Sequence, residues 1–404
     1  MTSVVDTSVK YFSSLMPGAP ALSGTVGALI NLLDACLKDG FDLKSLTSLT
    51  VAGGVATAAF TGTHSAQVDA VVLIAGVTGG PSGWAGLNGE QKVTGKPGAT
   101  SVTFATSLPD GSYTGAITMK MAPLGFAKIF SGTNLAAYQS TDPQSTKMIL
   151  RVDDTGATTA RVVGCEQMSD ISTYSGLFPS AAQIAGGGYW TKSGSANSTA
   201  VQWLLVGDSR GFYIHVCGGY AVSTLFTHGF TKGFGDVVVF KPGGDGYACS
   251  LAYSTSSTAS SQVDGSLEYA QQAQHAFPRS YTGLGTSQLS YCLPYIGTAT
   301  AMSGVDTNFG SFPNPVDGSL RMSKRYYATA TTGNAPRGEA TGIFSVPHSL
   351  VSDYFKFNDR VAGSGPLAGK NFIAVNPSNT NTTGAPTTSN AGVAFFDITG
   401  PWTR

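Results

Sequence analysis

Charge is what this 404-residue chain has least of. Its 23 basic and 23 acidic side chains make up 11% of the residues, against roughly 25% in an ordinary soluble domain. Only four glutamates occur, Glu90, Glu166, Glu268 and Glu339. No run of basic residues exceeds the pair Lys324-Arg325, so the electrostatic footprint of a nucleic-acid binder is missing. No apolar run approaches the ~20 residues of a membrane helix, which excludes helical membrane insertion. The start, "MTSVVDTSVKYFSS", has no basic segment leading into an apolar core, so no export signal is expected.

Metal and redox chemistry are equally thin. The five cysteines (Cys36, Cys165, Cys217, Cys249, Cys292) are scattered, odd in number and form no CxxC, which excludes a zinc ribbon or dithiol motif. They read as free, mostly buried thiols in a reducing cytosol. The five histidines are isolated and no EF-hand pattern occurs, so no metal site is expected. "PGGDGY" and "GGGYW" are glycine-rich, but neither leads into a helical pattern, and a phosphate cradle needs one. No cofactor is expected.

What remains is a neutral chain rich in Gly, with 52 of them, and in Ser and Thr. A surface with so little charge repels its copies weakly and favours association. One helix is legible. In "TVGALINLLDACLKDG", Val26, Leu29, Ile30, Leu33 and Leu37 form a helical stripe, widened by Leu32 and Cys36. Thr25 is the expected cap, Gly40 the stop, and Asp34 and Lys38 an i,i+4 pair. The preceding "MPGAPALSG" reads as an arm that a neighbouring subunit could order.

After Phe41 the period becomes two. "LTVAGGVATAAF", "AVVLIAG", "SVTFAT" and "AITMKMA" predict a small Ig-like β-sandwich over 48–122, readable as an insertion. "KMILRVDDTGATTARVVGCEQM" predicts a hairpin turning at Asp153-Asp154-Thr155-Gly156. Strand-like runs follow from Trp190 to Tyr253 and again from Arg325 to Ile398. The expected fold is mainly β and multi-domain. It comprises an arm and helix (1–47), the sandwich (48–122), a β-hairpin base domain packing with the helix (123–187), a β domain (188–270) and a C-terminal β domain (271–404). "STSSTASSQVDGS" (254–266) reads as linker or exposed loop, and "NPSNTNTTGAPTTSN" (376–390) as a solvated excursion. No fixed-period repeat is found.

Three features invite a chemical reading. Gly207-Asp208-Ser209, with His215 six residues on, carries the tripeptide of a class of serine esterases. Such a serine must leave a strand and enter a helix, with a downstream Asp-x-x-His. Here "RGFYIHV" follows as a second strand and no Asp-x-x-His exists, so a hairpin turn is expected, with no catalytic residue. Paired carboxylates for glycan cleavage find no favoured couple, since Asp153 and Asp154 are adjacent and the glutamates far apart. Arg321, Lys324, Arg325 and Arg337 read as a solvated basic face. Trp84, Trp190, Trp203 and Trp402, with Tyr189 and Tyr220, read as packing residues before sugar platforms.

Several segments together carry a resemblance: "YFSSLMPGAPALSGTVGALINLLDACLKDGF", "LRVDDTGATTARVVGCEQMSD", "GGGYWTKS", "FGDVVVFKPGGDGYA" and "FPNPVDGSLRMSKRYY". They resemble virion structural proteins of tailed bacteriophages and prophages, of the tail or baseplate region, over most of the chain. The resemblance implies a non-enzymatic virion subunit, assembled in the host cytoplasm as a symmetric homo-oligomer that docks other virion proteins. The alternatives are a head-associated or decoration protein, and a tail protein that binds or cleaves host surface glycan.

Overall fold

The computed structural model describes residues 3–222, 227–268, 273–295, 314, 316–329, 336–346, 351–352, 354–378 and 392–404. Among the described residues the chain is mainly β, with a short α- and π-helical segment near its start and brief 3-10 turns elsewhere. Among the described residues no helix is long and apolar enough to cross a membrane.

The helix runs as α over Ala28–Leu33 and widens to a π-helix over Asp34–Asp39. Gly40, at φ 72°, ends it as its sequence position suggested. The expected cap and pair are replaced. Thr25 makes no cap; Gly27 turns left-handed at φ 80°, and the distant Asp154 carboxylate caps the Leu29 and Ile30 amides. Asp34 pairs with Lys128 (2.7 Å) and Lys38 with Asp39, because the π-turn shifts Lys38 out of i,i+4 register. Val26 is half exposed, while Leu29, Leu32, Leu33, Cys36 and Leu37 are fully buried.

From Phe41 the chain builds a closed sheet. Phe41–Ala52 pairs through its first half with Thr118–Met121 and through its second with Val55–Phe60. Gly89–Gly98 is shared in the same way between Val71–Ala75 and Ser101–Ala105. Pairing of Val55–Phe60 with Ser101–Ala105 and of Val71–Ala75 with Thr118–Met121 completes a six-stranded ring. The two layers expected of a sandwich are therefore joined at both edges into a barrel, which removes exposed edges. It is filled by Ala56, Val72, Val93, Val102, Phe104, Met119 and Met121.

The remaining strands stack in three layers. A five-stranded sheet (Phe126–Gly132, Leu135–Ser140, Ile149–Asp153, Thr159–Cys165, Gly188–Thr191) holds the expected RVDD hairpin and carries the helix. A second sheet starts at Lys10–Ser13 and runs antiparallel through Val201–Asp208, Gly211–Ala221, Phe230–Asp236, Cys249–Ala252 and His275–Phe277 to Gln288–Pro294. There it folds over and continues through Ser323–Ala328, Pro336–Val346, Val393–Asp397 and Asn371–Val375 to Arg360–Ala362. The boundary drawn at 270/271 thus falls inside one continuous sheet.

The first half of that sheet becomes a central layer covered on both faces. Phe212 packs toward the five-stranded sheet against Phe126 and Trp190, with ring centroids 5.8 and 6.2 Å away. Its neighbour Tyr213 points the opposite way, to Phe396 and Trp402 of the folded-over half, both at 5.7 Å. Every residue of Val201–Asp208 and Phe230–Asp236 is buried as a result.

Two stretches read as solvent-facing are buried in part where they are described. In 254–266, Ser254, Gln262, Asp264 and Ser266 are buried and hydrogen-bonded inward, with Ser254 and Thr255 donating to Asp264. Small polar side chains reach their own backbone, so this composition packs without an apolar core. Asn376 and Ser378 are buried where their backbone bonds Gly229. Positions 379–390 of the expected excursion lie outside the described residues, as do His348 and the Tyr220 side chain.

Candidate functional site

The Gly-Asp-Ser sequence is the tip of a hairpin. Asp208 faces Gly211 across a two-residue turn, Ser209-Arg210, and its Oδ1 accepts the Arg210 and Gly211 amides at 2.9 and 3.0 Å. The Asp208 carboxylate also takes a two-pronged bond from Arg404. Ser209 Oγ donates to Asp142 Oδ2 at 2.6 Å. His215 sits opposite Leu204 on the second strand, buried, with its Nδ1 2.9 Å from Thr231 Oγ1. Ser209 and His215 are thus held apart by the strand, and Ser209 has an acid partner without a base. The gap beside the hairpin, under Trp402 and Arg404, measures about 10 Å³, no more than one water. Ser209→Ala removes one half-exposed hydrogen bond and is expected to cost about 1 kcal/mol or less. A denaturant midpoint moved by several times that amount would contradict this.

The other chemical candidates are also absorbed by the fold. Glu90 pairs with Lys10 (3.0 Å), Glu166 with Arg279 (2.8 Å) and Glu339 with Lys324 (2.9 Å). Glu268 is buried on Thr231 and Ser266, and burial raises its pKa. Asp153 caps the exposed Thr155 turn, whereas Asp154 is buried against Lys192. The basic face of the sequence reading dissolves. Arg321 and Lys324 are exposed, but Arg325 and Arg337 are buried, Arg337 on Asp245 at 3.0 Å. Trp190, Trp203 and Trp402 are buried packing residues, Trp84 is partly buried, and Tyr189 lies under the Arg161 guanidinium. All five cysteines are free and buried. Burial pushes the Cys165 and Cys217 thiols up to about 12, away from nucleophilic thiolate. Among the described residues no cluster of His, Cys, Asp or Glu is arranged to hold a metal.

Among the described residues there is a pocket large enough for a small ligand. It measures about 300 Å³ and lies where the N-terminal arm (Tyr11, Met16), the barrel loop (Gln67, Val68) and the folded-over layer (Asn358, Arg360) meet. Tyr11 donates to the Val68 carbonyl at 2.8 Å, and Arg360 lies 5.1 Å from the Tyr11 ring while bonding both Val68 O and the phenol. Asn358 holds a left-handed φ of 74°, and its buried Oδ1 has no partner. The lining contains no carboxylate, imidazole or thiol, and burial pushes the Tyr11 phenol further toward its neutral form. Such a pocket can hold a ligand but has nothing to move a proton at neutral pH.

No family model matches the chain, and no curated protein matches it. Sequence reading took Asp154 for a turn residue and Arg337 for part of a solvated face, and it passed over their partners Lys192 and Asp245 and the pair Tyr11 and Arg360. Each pair joins distant segments, and its members carry no local pattern that marks them.

Proposed function

We propose that the chain is a non-enzymatic structural subunit of a tailed-bacteriophage virion, of the tail or baseplate region, that works as a homo-oligomer docked to other virion proteins. The observation that carries this reading is the internal use of its reactive groups. Ser209, the described histidines, the cysteines and the glutamates are each spent on turns, ion pairs or core, so what the described residues offer outward is surface. That surface is poor in charge and bears large apolar side chains. Tyr281 and Leu284 are 56% and 73% exposed, on a loop tied to the Phe240–Lys241 segment by the bond from Lys241 to Tyr281 O. An apolar patch on such a neutral chain favours burial against a neighbour. The resemblance to virion structural proteins supplies the setting.

The expected result in light scattering at micromolar concentration is a discrete oligomer, weakened by Leu284→Asp. A stable monomer there would count against the reading.

A further inference from the structure

We propose that Lys192 and Asp154 become joined by a self-formed side-chain amide bond that ties the ends of two strands of the five-stranded sheet, Ile149–Asp153 and Gly188–Thr191, across the strand between them, beneath the start of the N-terminal helix. The two side chains are wholly buried and Lys192 Nζ lies 2.5 Å from Asp154 Oδ1. Both residues are fixed by their backbones: Asp154 N bonds Asn134 O at 2.8 Å, and Lys192 N bonds Thr158 O at 2.9 Å. Reacting groups held this way need no further ordering to meet.

The surrounding atoms suit the reaction at each stage. Lys192 Nζ also donates to Thr25 O and Gly156 O, both at 2.6 Å. When one proton passes to Asp154 Oδ1, the remaining two stay on those carbonyls, and the nitrogen lone pair is left pointing at Oδ1, one bond from the carboxyl carbon, which it reaches by a small rotation of the carboxyl group. Burial raises the pKa of Asp154 in spite of its cationic neighbour, so the acid form that must be attacked is within reach. As the C–N bond forms, the carbonyl electron pair moves to Oδ2. That atom already accepts the Leu29 and Ile30 amides at 2.7 and 3.0 Å, the donors an oxyanion requires. Collapse expels Oδ1, which leaves as water with a proton from the nitrogen. Ammonium plus carboxylate thus gives amide plus water, with no oxidant or co-reactant. The product removes two charges from a dry site, where a buried ion pair is costly to keep.

The test is the intact mass of the full chain under denaturing conditions. The expected mass is lighter than the sequence by one water. Proteolysis should then release the Asp154 and Lys192 peptides as one branched species, and Lys192→Arg should show no loss of water. A wild-type mass equal to the sequence overturns the proposal, and so does a loss of water mapped to an Asp-Gly pair such as Asp110-Gly111. Both readouts use the wild-type chain and so do not depend on how the variant folds, and neither depends on the virion assignment.

Discussion

Lowering the pH from 7 to 4.5 is expected to destabilise the protein by about 5 kcal/mol, through two buried histidines. His215 and His275 are fully buried between the central layer and the folded-over layer, and burial lowers both from 6.5 to about 3. His275 stands edge-on to Tyr327 at 5.5 Å, neither ring nitrogen has a partner, and the charges of Lys232 and Arg325 oppose a third. His215 has only Thr231 on Nδ1, faces Phe357, and has His228 nearby. The sign follows from which state binds protons. Between pH 6.5 and 3 the unfolded chain takes up protons that the folded one refuses. The contribution is therefore complete above 6.5 and is lost as pH falls toward 3. At 4.5 each histidine has lost two pH units of it, about 2.7 kcal/mol.

The carboxylates divide. Asp42 and Asp142 are held below the usual range by Ser65, Lys44 and Ser209 bonds, so their stabilisation also disappears on acidification. Glu268 and Asp154 are raised by burial, so protonating them relieves a cost and offsets part of the loss. Against a total stability of roughly 5–15 kcal/mol, the histidine term remains decisive. Thermal unfolding at the two pH values should differ by on the order of 10 °C. His275→Phe, beside Tyr327 and Phe277, should remove about half of the difference. Equal midpoints for the wild type at both pH values would defeat the argument.

What could be read in the sequence was whatever is encoded locally. The hairpin at Asp208–Gly211 follows from a turn-forming tripeptide between two runs of strand formers, and Gly40 ends the helix because only a left-handed residue fits there. What could not be read depends on contacts far along the chain. The alternation of Phe212 and Ile214 with Tyr213 and His215 resembles one wet face. It becomes two dry faces only because a second layer arrives from residues after 320. Polar stretch 254–266 is exposed only at Thr255, Ser257, Thr258 and Ser260, and its composition cannot show that Ser254, Gln262, Asp264 and Ser266 turn inward, Ser254 onto the Asp264 carboxylate. The pocket at Tyr11, Val68 and Arg360 draws on three segments separated by up to 349 positions, which no local pattern encodes.

Arg337→Ala should destabilise the chain by about 3–5 kcal/mol, the usual cost of stranding a buried charge. Arg337 and Asp245 are 92 residues apart in sequence and nearly inaccessible to solvent. The guanidinium bonds Asp245 Oδ2 through Nε (3.1 Å) and Nη2 (3.0 Å), donates to Arg279 O and Tyr247 O, and lies 4.1 Å from the Phe277 ring centroid. Alanine leaves the Asp245 carboxylate and two backbone carbonyls without these donors. Replacing both charges, as Arg337→Met with Asp245→Leu, leaves no stranded ion and should cost less than the single change. Urea midpoints of Arg337→Met, Asp245→Leu and the double close the cycle, and an additive double would mean that the pair is not coupled. A second consequence is separable. Through Tyr247 O and Arg279 O, Arg337 holds the bases of the loops that present Phe240, Tyr281 and Leu284. If that patch makes the subunit contact, Arg337→Ala should weaken self-association under conditions where the fold survives. A patch held only by its own loop backbone would instead leave association unchanged.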